Sequence, residues 1–411
     1  MKTPLARILA IGDELLLGRT VDTNSTYIAR WLGDRGFTVD GVRTVADGEA
    51  AIVEALHWAA KADLVICTGG LGPTDDDRTR QALAAAIGVP LTFRASAWAA
   101  ITAWYGKVRP GKPIPATNRR QALLPRGALM LANDRGTAPG MLARLGKSWI
   151  ACLPGVPHEM HAMLDGVGRR LPRLYPGLIV PVVEEVWFAG LGESDAQERI
   201  GDLLTEQEPR VGITVSELGH ITLRAVGEAA AVRERAVRLR DLLAPWCLPA
   251  AGIAPSLVGE LARRGQTLTL AESCTCGQAV TQIGAVPGAS AVLRQAVVTY
   301  HNDAKAAVLG VDPRLIRRHG AVSEPVARAM AVGALAAAKA DLAVATTGIA
   351  GPDGGTVEKP VGTVWIAAAD AKQVIARRIL VQGTRERIQR RAAANALLLA
   401  WQLLHGSPAS G

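Results

Sequence analysis

Aromatic residues and cysteines are scarce in this sequence, and each shortage excludes a class of structure. Only 4% of the 411 residues are aromatic, so the hydrophobic cores must be built mainly from alanine, leucine and valine. The five cysteines are an odd number and lie far apart, except for Cys274 and Cys276, which argues against a disulfide framework. We therefore expect a protein of a reducing compartment, the cytoplasm.

Long uncharged runs are also lacking. The longest, residues 273–293, contains three glycines and a proline among many polar side chains, which argues against a transmembrane helix. The apolar stretch near the start of the sequence is interrupted at Asp13 and is too short for a signal peptide. We expect no association with a membrane.

Length, hydrophobic content and charge set the broad class. At about 150 residues per domain, 411 residues predict two to three domains, and 49% hydrophobic residues can give each domain a core. The net charge of +9 permits anionic metabolites, nucleic acids or membrane surfaces as partners without choosing among them. Residues 166–250 nevertheless carry more acidic than basic side chains, and arginines are concentrated after residue 376.

The sequence separates into three blocks. Residues 1–165 and 251–411 alternate short apolar runs with helical periodicities, which predicts α/β domains with parallel sheets covered by helices. Residues 166–250 lack this regular alternation and are flanked by proline- and glycine-rich stretches, so they predict a small α+β connector.

The same periodicities predict individual elements. Strands are predicted at residues 7–11, 63–67, 148–153, 180–188, 213–223, 267–271, 296–300, 342–346 and 363–368. Helices are predicted at residues 23–35, 50–62, 79–87, 195–204, 231–243, 257–264, 325–339 and 385–404. Parallel sheets bind ligands at the carboxyl ends of their strands, so the loops that follow these strands are the places to look for a site.

Three polar strings fall on such loops in the first block. They are Gly-Asp-Glu at residues 12–14, Asp-Thr-Asn at 22–24, and Thr-Gly-Gly-Leu-Gly-Pro-Thr-Asp-Asp-Asp at 68–77. Backbone N–H groups of a glycine-rich loop can hold an anion, and carboxylates beside that anion require a hard divalent cation such as Mg²⁺ to bridge them. The spacing leaves an alternative open, in which the three aspartates cap the helix that begins near Thr79.

These strings resemble the N-terminal domain of the CinA (competence/damage-inducible) family, a relative of the MoaB/MogA molybdopterin-binding fold. Gly-Thr-Ala-Pro-Gly at residues 136–140 and Leu-Pro-Gly-Val-Pro at 153–157 extend the resemblance. It implies a nucleotide-binding domain that takes ADP-ribose with a divalent metal, Mg²⁺, and has ADP-ribose pyrophosphatase activity. The implied binding positions are Asp13, Glu14, Asn24, Thr68, Gly69, Gly70, Gly72 and Thr74, and the implied metal ligands are Asp22, Asp76 and Asp77.

In the third block, Ser273 stands where a predicted strand turns into a helix, in Ala-Glu-Ser-Cys-Thr-Cys-Gly. A serine there lies near helix N–H groups that can stabilise an oxyanion, but it needs a base to become a nucleophile. None of the histidines stands in a suitable string, whereas a partly desolvated Lys305 can act as a base, with Tyr300 as a relay. The pattern alone leaves open that Ser273 is a helix N-cap and Lys305 a solvated helix residue.

The third block resembles the C-terminal domain of the CinA family, which hydrolyses the amide of nicotinamide mononucleotide to nicotinate mononucleotide and ammonia. The resemblance implies Ser273 as nucleophile and Lys305 as base, assisted by Tyr300 and Ser290, with no cofactor. It also implies a homodimer. The substrate-binding positions are Thr275, Gly277, Thr347, Gly348 and Gly351, and a tail arginine, Arg385 or Arg390, would meet the phosphate.

Three positions depart from the family pattern. Cys276 replaces the first glycine of the usual Glu-Ser-Cys-Thr-Gly-Gly, Ala296 replaces a glycine, and His301 replaces a serine. At a backbone position with positive φ a side chain costs about 1 kcal/mol or more. Because of these departures, an alternative hypothesis remains, in which the chain is a non-catalytic nucleotide- or molybdopterin-binding protein with an eroded C-terminal site.

The middle block corresponds by resemblance to the family's KH-like connector. A nucleic-acid-binding KH module needs a Gly-X-X-Gly loop and a basic surface. The nearest string, Gly-Leu-Gly-Glu at residues 190–193, lacks that spacing, and the block is acidic. We therefore expect a spacer or dimerisation element, and nucleic acid is disfavoured as a partner.

Overall fold

The computed structural model describes residues 3–406, and the chain divides into two compact units. The first unit ends at Pro181 and the second begins at Val182. The stretch 166–181 thus belongs to the first unit, and the predicted three-block boundaries after residues 165 and 250 stay a prediction. Within residues 3–406, no helix has both the length and the apolar character that crossing a membrane requires.

The first unit is an α/β domain. Its strands are β1 Leu5–Ile11, β2 Thr38–Val45, β3 Leu64–Thr68, β4 Leu91–Phe93, β5 Leu123–Pro125, β6 Leu129–Leu131, β7 Gly140–Leu145 and β8 Ser148–Leu153. Its helices are α1 Asp13–Leu16, α2 Thr23–Gly33, α3 Glu49–Ala59, α4 Thr79–Ala86, α5 Ala95–Val108, α6 Pro157–Gly168 and α7 Leu171–Leu174.

The main sheet of this unit has the strand order β2-β1-β3-β8-β7-β6. Strands β2, β1, β3 and β8 are parallel, as predicted, but β7 and β6 are antiparallel to their neighbours. The reason is the short connection between β7 and β8, because parallel neighbours need a crossover of a dozen or more residues. The sheet is therefore mixed rather than fully parallel.

Strand β3 shows why the sequence forms the centre of this sheet. All five of its residues are buried, and their side chains alternate between two hydrophobic clusters. Val65 and Cys67 pack with α3 and α4 on one face, whereas Leu64 and Ile66 pack with α2 and α6 on the other. A continuous apolar run is what a strand covered on both faces requires.

The second unit begins with a small antiparallel sheet of order β10-β11-β9-β12. Its elements are β9 Val182–Ala189, α8 Glu193–Ile200, β10 Arg210–Val215, β11 His220–Gly227, α9 Ala229–Leu242 and β12 Cys247–Leu248. The single strand predicted at residues 213–223 is wrong: the segment is a hairpin. Ser216 accepts hydrogen bonds from the backbone N–H groups of Leu218 and Gly219, and Gly219 has φ 97°, so the chain reverses there.

The remainder of the second unit is a five-stranded sheet of order β14-β13-β15-β16-β17, in which β14, β13 and β15 are parallel. Its strands are β13 Leu268–Glu272, β14 Leu293–Val298, β15 Leu342–Gly348, β16 Thr363–Asp370 and β17 Val374–Leu380. Its helices are α10 Ile253–Arg264, α11 Gln278–Gly284, α12 Asn302–Leu309, α13 Pro313–His319, α14 Glu324–Ala338 and α15 Arg385–His405. Alanines and leucines dominate the buried face of α15, as the shortage of aromatic residues predicts.

Candidate functional site

Ser273 lies directly after β13, at the carboxyl end of the parallel part of the second unit's sheet. Helix α11 begins only at Gln278 and its N-cap is Gly277, so Ser273 is not a helix cap. The side chain is almost buried, with 7% exposure. The carboxyl end of a buried parallel strand is where α/β proteins place their ligands, so this position fits a reacting group.

Lys305 on α12 contacts Ser273 directly. Its Nζ lies 3.0 Å from the Ser273 Oγ, 2.9 Å from the Thr299 carbonyl oxygen and 3.1 Å from the Tyr300 carbonyl oxygen. Only 1% of the lysine is exposed, which excludes a solvated helix residue, and this burial lowers the pKa of its ammonium below the ordinary value.

The three oxygen partners of Lys305 match an ammonium, and they can equally accommodate the neutral amine that a base must be. A neutral amine has two N–H groups and one lone pair, whereas carbonyl oxygens only accept hydrogen bonds. The carbonyls of Thr299 and Tyr300 can take both N–H groups, which leaves the lone pair for the hydroxyl proton of Ser273. The arrangement therefore positions a base against a nucleophile.

Glu272, whose role the sequence did not reveal, holds the turn that carries Ser273. Its buried carboxylate accepts hydrogen bonds from the Thr275 hydroxyl at 2.7 Å and from the backbone N–H groups of Gly277, Ala279 and Val280 at 3.0, 3.1 and 2.9 Å. A carboxylate at the start of α11 also interacts favourably with the helix dipole. Glu272 stands beside Ser273 in the motif, but only the folded turn brings these donors to it.

Helix α15 closes the other side of the group. The Arg385 guanidinium donates from Nη2 to the Tyr300 hydroxyl at 2.8 Å and from Nη1 to the Gly351 carbonyl oxygen, and Gln389 Nε2 donates to the Cys274 carbonyl at 2.9 Å. Tyr300 is 55% exposed, so its ring and Arg385 lie at the mouth of the site. The structure thus brings Arg385 and Tyr300 to the Ser273 group.

Two predicted residues make no hydrogen bond or ion pair with a member of this group. Ser290 lies exposed in the short helical turn Ala289–Ala291, and its side chain makes no hydrogen bond within residues 3–406, so its assisting role stays a prediction. Arg390 forms ion pairs with Glu217 at 3.1 Å and Glu386 at 3.9 Å rather than with any member of the group. Of the two tail arginines, the geometry favours Arg385 as the one that meets substrate.

Three other predicted substrate-binding residues are engaged in contacts within the protein. The Thr275 hydroxyl is buried and contacts Thr346 Oγ1 at 2.7 Å, so it supports the turn rather than facing a ligand. Thr347 donates to the Ala321 carbonyl at 2.8 Å. Gly348, at the end of β15, has no room for a side chain, since a Cβ would lie 2.7 Å from the Thr363 carbonyl oxygen.

The three departures from the family pattern have different consequences. Cys276 has φ 51° and is exposed, so a side chain occupies a left-handed backbone position beside Ser273. Ala296 pairs with Leu270 in the sheet and has no positive φ. His301 caps α12, where its Nδ1 accepts from the Asp303 N–H at 3.4 Å. Of the three departures, only Cys276 introduces backbone strain.

The neighbouring Cys274 is a poor nucleophile, because burial raises the pKa of its thiol to about 12.

A second candidate site lies in the first unit, where the loops after β3 and β8 meet the start of α2. Asn24 Nδ2 donates to Thr68 Oγ1 at 3.1 Å and to the Gly155 carbonyl at 2.7 Å, while Asn24 Oδ1 is buried without a partner in residues 3–406. Gly69 has φ 109°, and a Cβ there would lie 2.1 Å from the Ile11 carbonyl oxygen. A glycine is therefore required at this close approach of two backbone segments.

Asp77 closes the glycine-rich loop. Its carboxylate accepts from the backbone N–H groups of Gly72 at 2.7 Å and Thr74 at 2.8 Å, and from the Thr74 hydroxyl. Helix α4 is capped by Arg78 without a side-chain hydrogen bond, so the alternative that the aspartates cap this helix is wrong. Asp77 shapes the loop instead.

The predicted metal ligands do not come together as a set. Asp22 caps α2 by accepting from the Ser25 N–H at 2.9 Å, and both oxygens of Asp77 are engaged in their own loop. No group of three or more His, Cys, Asp or Glu side chains in residues 3–406 is arranged to hold a metal ion. The set Asp22, Asp76 and Asp77 therefore does not fit a divalent cation.

Asp47, at the carboxyl end of β2, was not predicted from the sequence as a site residue. Its Oδ2 accepts from the Asp13 N–H at 2.9 Å, and its own N–H donates to Asp13 Oδ1 at 3.3 Å. Burial raises the pKa of the Asp47 carboxyl, and the negative charges of Asp13, Glu14 and Asp76 raise it further. These four carboxylates share a region of unneutralised negative charge and offer the oxygen ligands that Mg²⁺ prefers. The sequence signal for them was their position in the loops that follow β1, β2 and β3.

Fold and sites together define an α/β protein in which a molybdopterin-binding-like domain precedes a domain with a buried serine–lysine pair. Family models match both parts: "Probable molybdopterin binding domain" over residues 7–174 and "CinA C-terminal domain" over residues 250–404. The "CinA-like protein" of Geobacter metallireducens is 41% identical over 422 residues, covering 97% of this chain and 98% of that protein. The "Putative competence-damage inducible protein" of Symbiobacterium thermophilum is 39% identical over 424 residues, covering 98% and 99%. The chain belongs to the CinA family.

Solved structures of related proteins match the chain in part. The crystal structure of the protein CinA from Thermoplasma acidophilum is 34% identical, with a TM-score of 0.39, and covers 41% of this chain and 98% of that one. The expected family, with its molybdopterin-binding-like N-terminal domain and CinA C-terminal domain, is thus confirmed by the family models and the full-length relatives.

Proposed function

We propose that the second unit hydrolyses the amide of nicotinamide mononucleotide to nicotinate mononucleotide and ammonia. The observation that carries this proposal is the 3.0 Å contact between Lys305 Nζ and Ser273 Oγ in a buried setting. A lysine whose pKa is lowered by burial is neutral in a larger fraction of molecules near neutral pH, as a general base must be.

The reaction follows from the contacts of these two residues. Lys305 takes the hydroxyl proton of Ser273, and Oγ attacks the amide carbon to form a tetrahedral intermediate. The backbone N–H groups of Cys274 and Thr275 make no hydrogen bond to another residue within residues 3–406 and are available for the oxyanion. Lys305 then returns the proton to the departing ammonia, and water hydrolyses the acyl-serine with Lys305 again as the base.

Substrate binding is the role we assign to the mouth of the site. Two donors of the Arg385 guanidinium are held by Tyr300 and Gly351, so the plane of the guanidinium is oriented and its other N–H groups remain for a phosphate. The Tyr300 hydroxyl thereby positions Arg385, while the carbonyl oxygen of the same residue accepts from Lys305.

Ammonia release from nicotinamide mononucleotide tests the proposal. We expect release by the wild type and loss of roughly 10³-fold or more in Ser273→Ala, since the nucleophile is removed. Ser194→Ala, an exposed serine on α8, is the matched control and should leave the rate unchanged. If neither the wild type nor Cys276→Gly releases ammonia, the result would favour the alternative hypothesis of a non-catalytic nucleotide-binding protein.

For the first unit we propose a divalent-metal-dependent ADP-ribose pyrophosphatase. Asp77 occupies the N–H groups of Gly72 and Thr74, so those of Gly70 and Leu71, which make no hydrogen bond within residues 3–406, are the ones we assign to the diphosphate. The unpartnered Asn24 Oδ1 offers an acceptor to a ribose hydroxyl. Because residues 3–406 contain no preformed group of three such ligands, the diphosphate itself would supply part of the Mg²⁺ ligand set beside Asp47, and the bound ion would neutralise and polarise phosphate oxygens.

Mg²⁺ binding and cleavage of ADP-ribose to AMP and ribose 5-phosphate test this second proposal. Asp47→Asn should weaken Mg²⁺ binding in calorimetry and abolish cleavage, because it removes one negative charge from the cluster. It should also raise the thermal midpoint at pH 7, because a carboxyl with a raised pKa destabilises the fold when ionised. Unchanged Mg²⁺ affinity in this variant would contradict the assignment.

We further propose a cytoplasmic homodimer that uses small nucleotides rather than nucleic acid as partners. All five cysteines are free, as a reducing compartment requires. Light scattering on the purified chain measures the oligomeric state, and a monomer at micromolar concentration would contradict the dimer.

A further inference from the structure

A cleft in the second unit carries chemistry that neither proposed reaction uses. It has a volume of about 1060 Å³ and lies between the turn of the β10–β11 hairpin and the surface formed by β17 and the first half of α15. Five arginines line it: Arg377, Arg378, Arg387, Arg390 and Arg391. Because only two glutamates share the lining, the cleft has an excess of three positive charges.

The spacing of the arginines on α15 concentrates this charge. Arg387, Arg390 and Arg391 are separated by three and four residues, which places them on one helix face. Arg377 also lines the cleft, from β17, and its Nη2 donates to the Gln402 side chain, which lies outside the lining, at 3.0 Å. Like charges at such spacing destabilise a helix unless an anion lies among them.

Acidic partners neutralise only part of the cluster. Arg390 pairs with Glu217 at 3.1 Å, whereas Arg391 Nη1 donates only to the carbonyl oxygens of Ser216 and Glu217, at 3.3 and 3.2 Å. The Arg387 guanidinium makes no hydrogen bond or ion pair within residues 3–406. Burial lowers the pKa of Arg391, and the charge of Arg387 lowers it further. Arg378 Nη2 donates to the Glu358 carbonyl oxygen at 2.7 Å, so within residues 3–406 only Arg390 of the five has a carboxylate partner.

We propose that this cleft binds a nucleoside polyphosphate. Guanidinium groups bind phosphate oxygens in pairs of charge-assisted hydrogen bonds, and the excess of three positive charges matches an anion with two or three phosphates. Small-molecule sites typically measure about 300–1,000 Å³, so the cleft has room for a nucleoside in addition to its phosphates. Val215, Ile379 and Val381 also line it and provide apolar contact for a base.

This cleft is a separate site from the Ser273 group. Arg385 and Gln389 of α15 contact Tyr300 and the turn after Ser273, whereas Arg387, Arg390 and Arg391 of the same helix line the cleft. A ligand in the cleft should therefore not compete with nicotinamide mononucleotide. The inference does not depend on either proposed activity, because binding alone tests it.

Titration calorimetry on the full chain, in buffer containing EDTA, is the test. EDTA suppresses metal-dependent binding in the first unit, and ATP and inorganic tripolyphosphate are the probes. We expect both to bind, with affinity that falls as NaCl is raised. Arg387→Gln should weaken binding roughly tenfold or more, and adding Arg391→Gln should weaken it further. Arg318→Gln, an exposed arginine on α13, is the matched control.

Three results would overturn the proposal. ATP affinity that is unchanged in the double variant Arg387→Gln/Arg391→Gln would place the binding elsewhere. Loss of ATP binding when nicotinamide mononucleotide is present in saturating amount would assign it to the Ser273 site. Binding of a 20-nucleotide oligonucleotide in an Arg387-dependent manner, without binding of ATP or tripolyphosphate, would identify a nucleic-acid surface instead.

Discussion

Cys276 combines a residue type and a backbone conformation that rarely occur together. Its φ of 51° lies in the left-handed region, where a Cβ crowds the following carbonyl, and it stands three residues after Ser273. Lys339, with φ 50° at the end of α14, is the other described non-glycine residue in this region. The strain at position 276 is local, because Lys305 and Ser273 remain in contact.

Replacing Cys276 by glycine should therefore stabilise the second unit. We expect Cys276→Gly to raise its free energy of unfolding by ~0.5–1 kcal/mol, since relief of strain exceeds the added chain entropy. The midpoint of denaturant unfolding measures this change. Lys339→Gly is a matched variant with the same backbone geometry outside the site and should behave alike. A lower midpoint for Cys276→Gly would show that the cysteine side chain makes a compensating contact.

Lys305 gives a prediction for the pH dependence of amide hydrolysis. The base must be unprotonated, so kcat/KM should rise with pH and level off above the pKa of Lys305. Burial lowers this pKa, so the midpoint should lie below the ordinary value for lysine. Lys305→Met should reduce the rate by roughly 10²–10⁴-fold and remove this limb of the profile. A profile that persists in Lys305→Met would assign the base to another group.

At the scale of elements, the turn between β13 and α11 depends on one carboxylate. Four hydrogen bonds converge on Glu272 from groups of the next eight residues. A neutral amide in its place can accept fewer of them and leaves a buried donor unpaired. The stability of this turn and the position of Ser273 therefore have a common cause.

Glu272→Gln should lose both stability and activity. We expect a loss of about 1–3 kcal/mol in unfolding free energy, because hydrogen bonds to a buried charged group are replaced. Amide hydrolysis should fall through kcat more than through KM, since the turn positions Ser273 rather than contacting substrate. Glu234→Gln, an exposed glutamate on α9, is the control and should change neither property. A variant with full kcat would contradict the positioning role.

Elements with a strong periodicity could be predicted from the sequence, and the elements that were predicted wrongly or not at all have physical reasons. The continuous apolar run of β3 indicated a buried strand, and the period of about 3.6 residues in α15 indicated a helix with one buried face. The hairpin of β10 and β11 was predicted as one strand because alternation continues on both sides of its short turn. Strand β7 was not predicted, and its antiparallel pairing depends on the short connection to β8.

Some residues of the candidate sites could likewise be predicted from the sequence, and others could not. The position of Ser273 after a strand and its resemblance to a known motif indicated the serine–lysine pair, which the structure brings into contact. Glu272 and Asp47 were missed because their partners are backbone N–H groups that only the folded loops bring near. Ser290 and Arg390 were implied by the family resemblance; Arg390 pairs with Glu217 in the structure, and the role of Ser290 stays a prediction. Hydrogen bonds between segments far apart in sequence cannot be read from spacing.

At the scale of the whole molecule, the two candidate sites lie in different compact units and need different chemistry. The Ser273 group works through a proton transfer between two side chains, whereas the carboxylates around Asp47 need a divalent cation to tolerate a diphosphate. EDTA should therefore abolish ADP-ribose cleavage and leave ammonia release from nicotinamide mononucleotide unchanged. Ser273→Ala should do the reverse, because it leaves the first unit intact. Both assays on one preparation measure this, and loss of ammonia release in EDTA would mean that the amide reaction also depends on a metal.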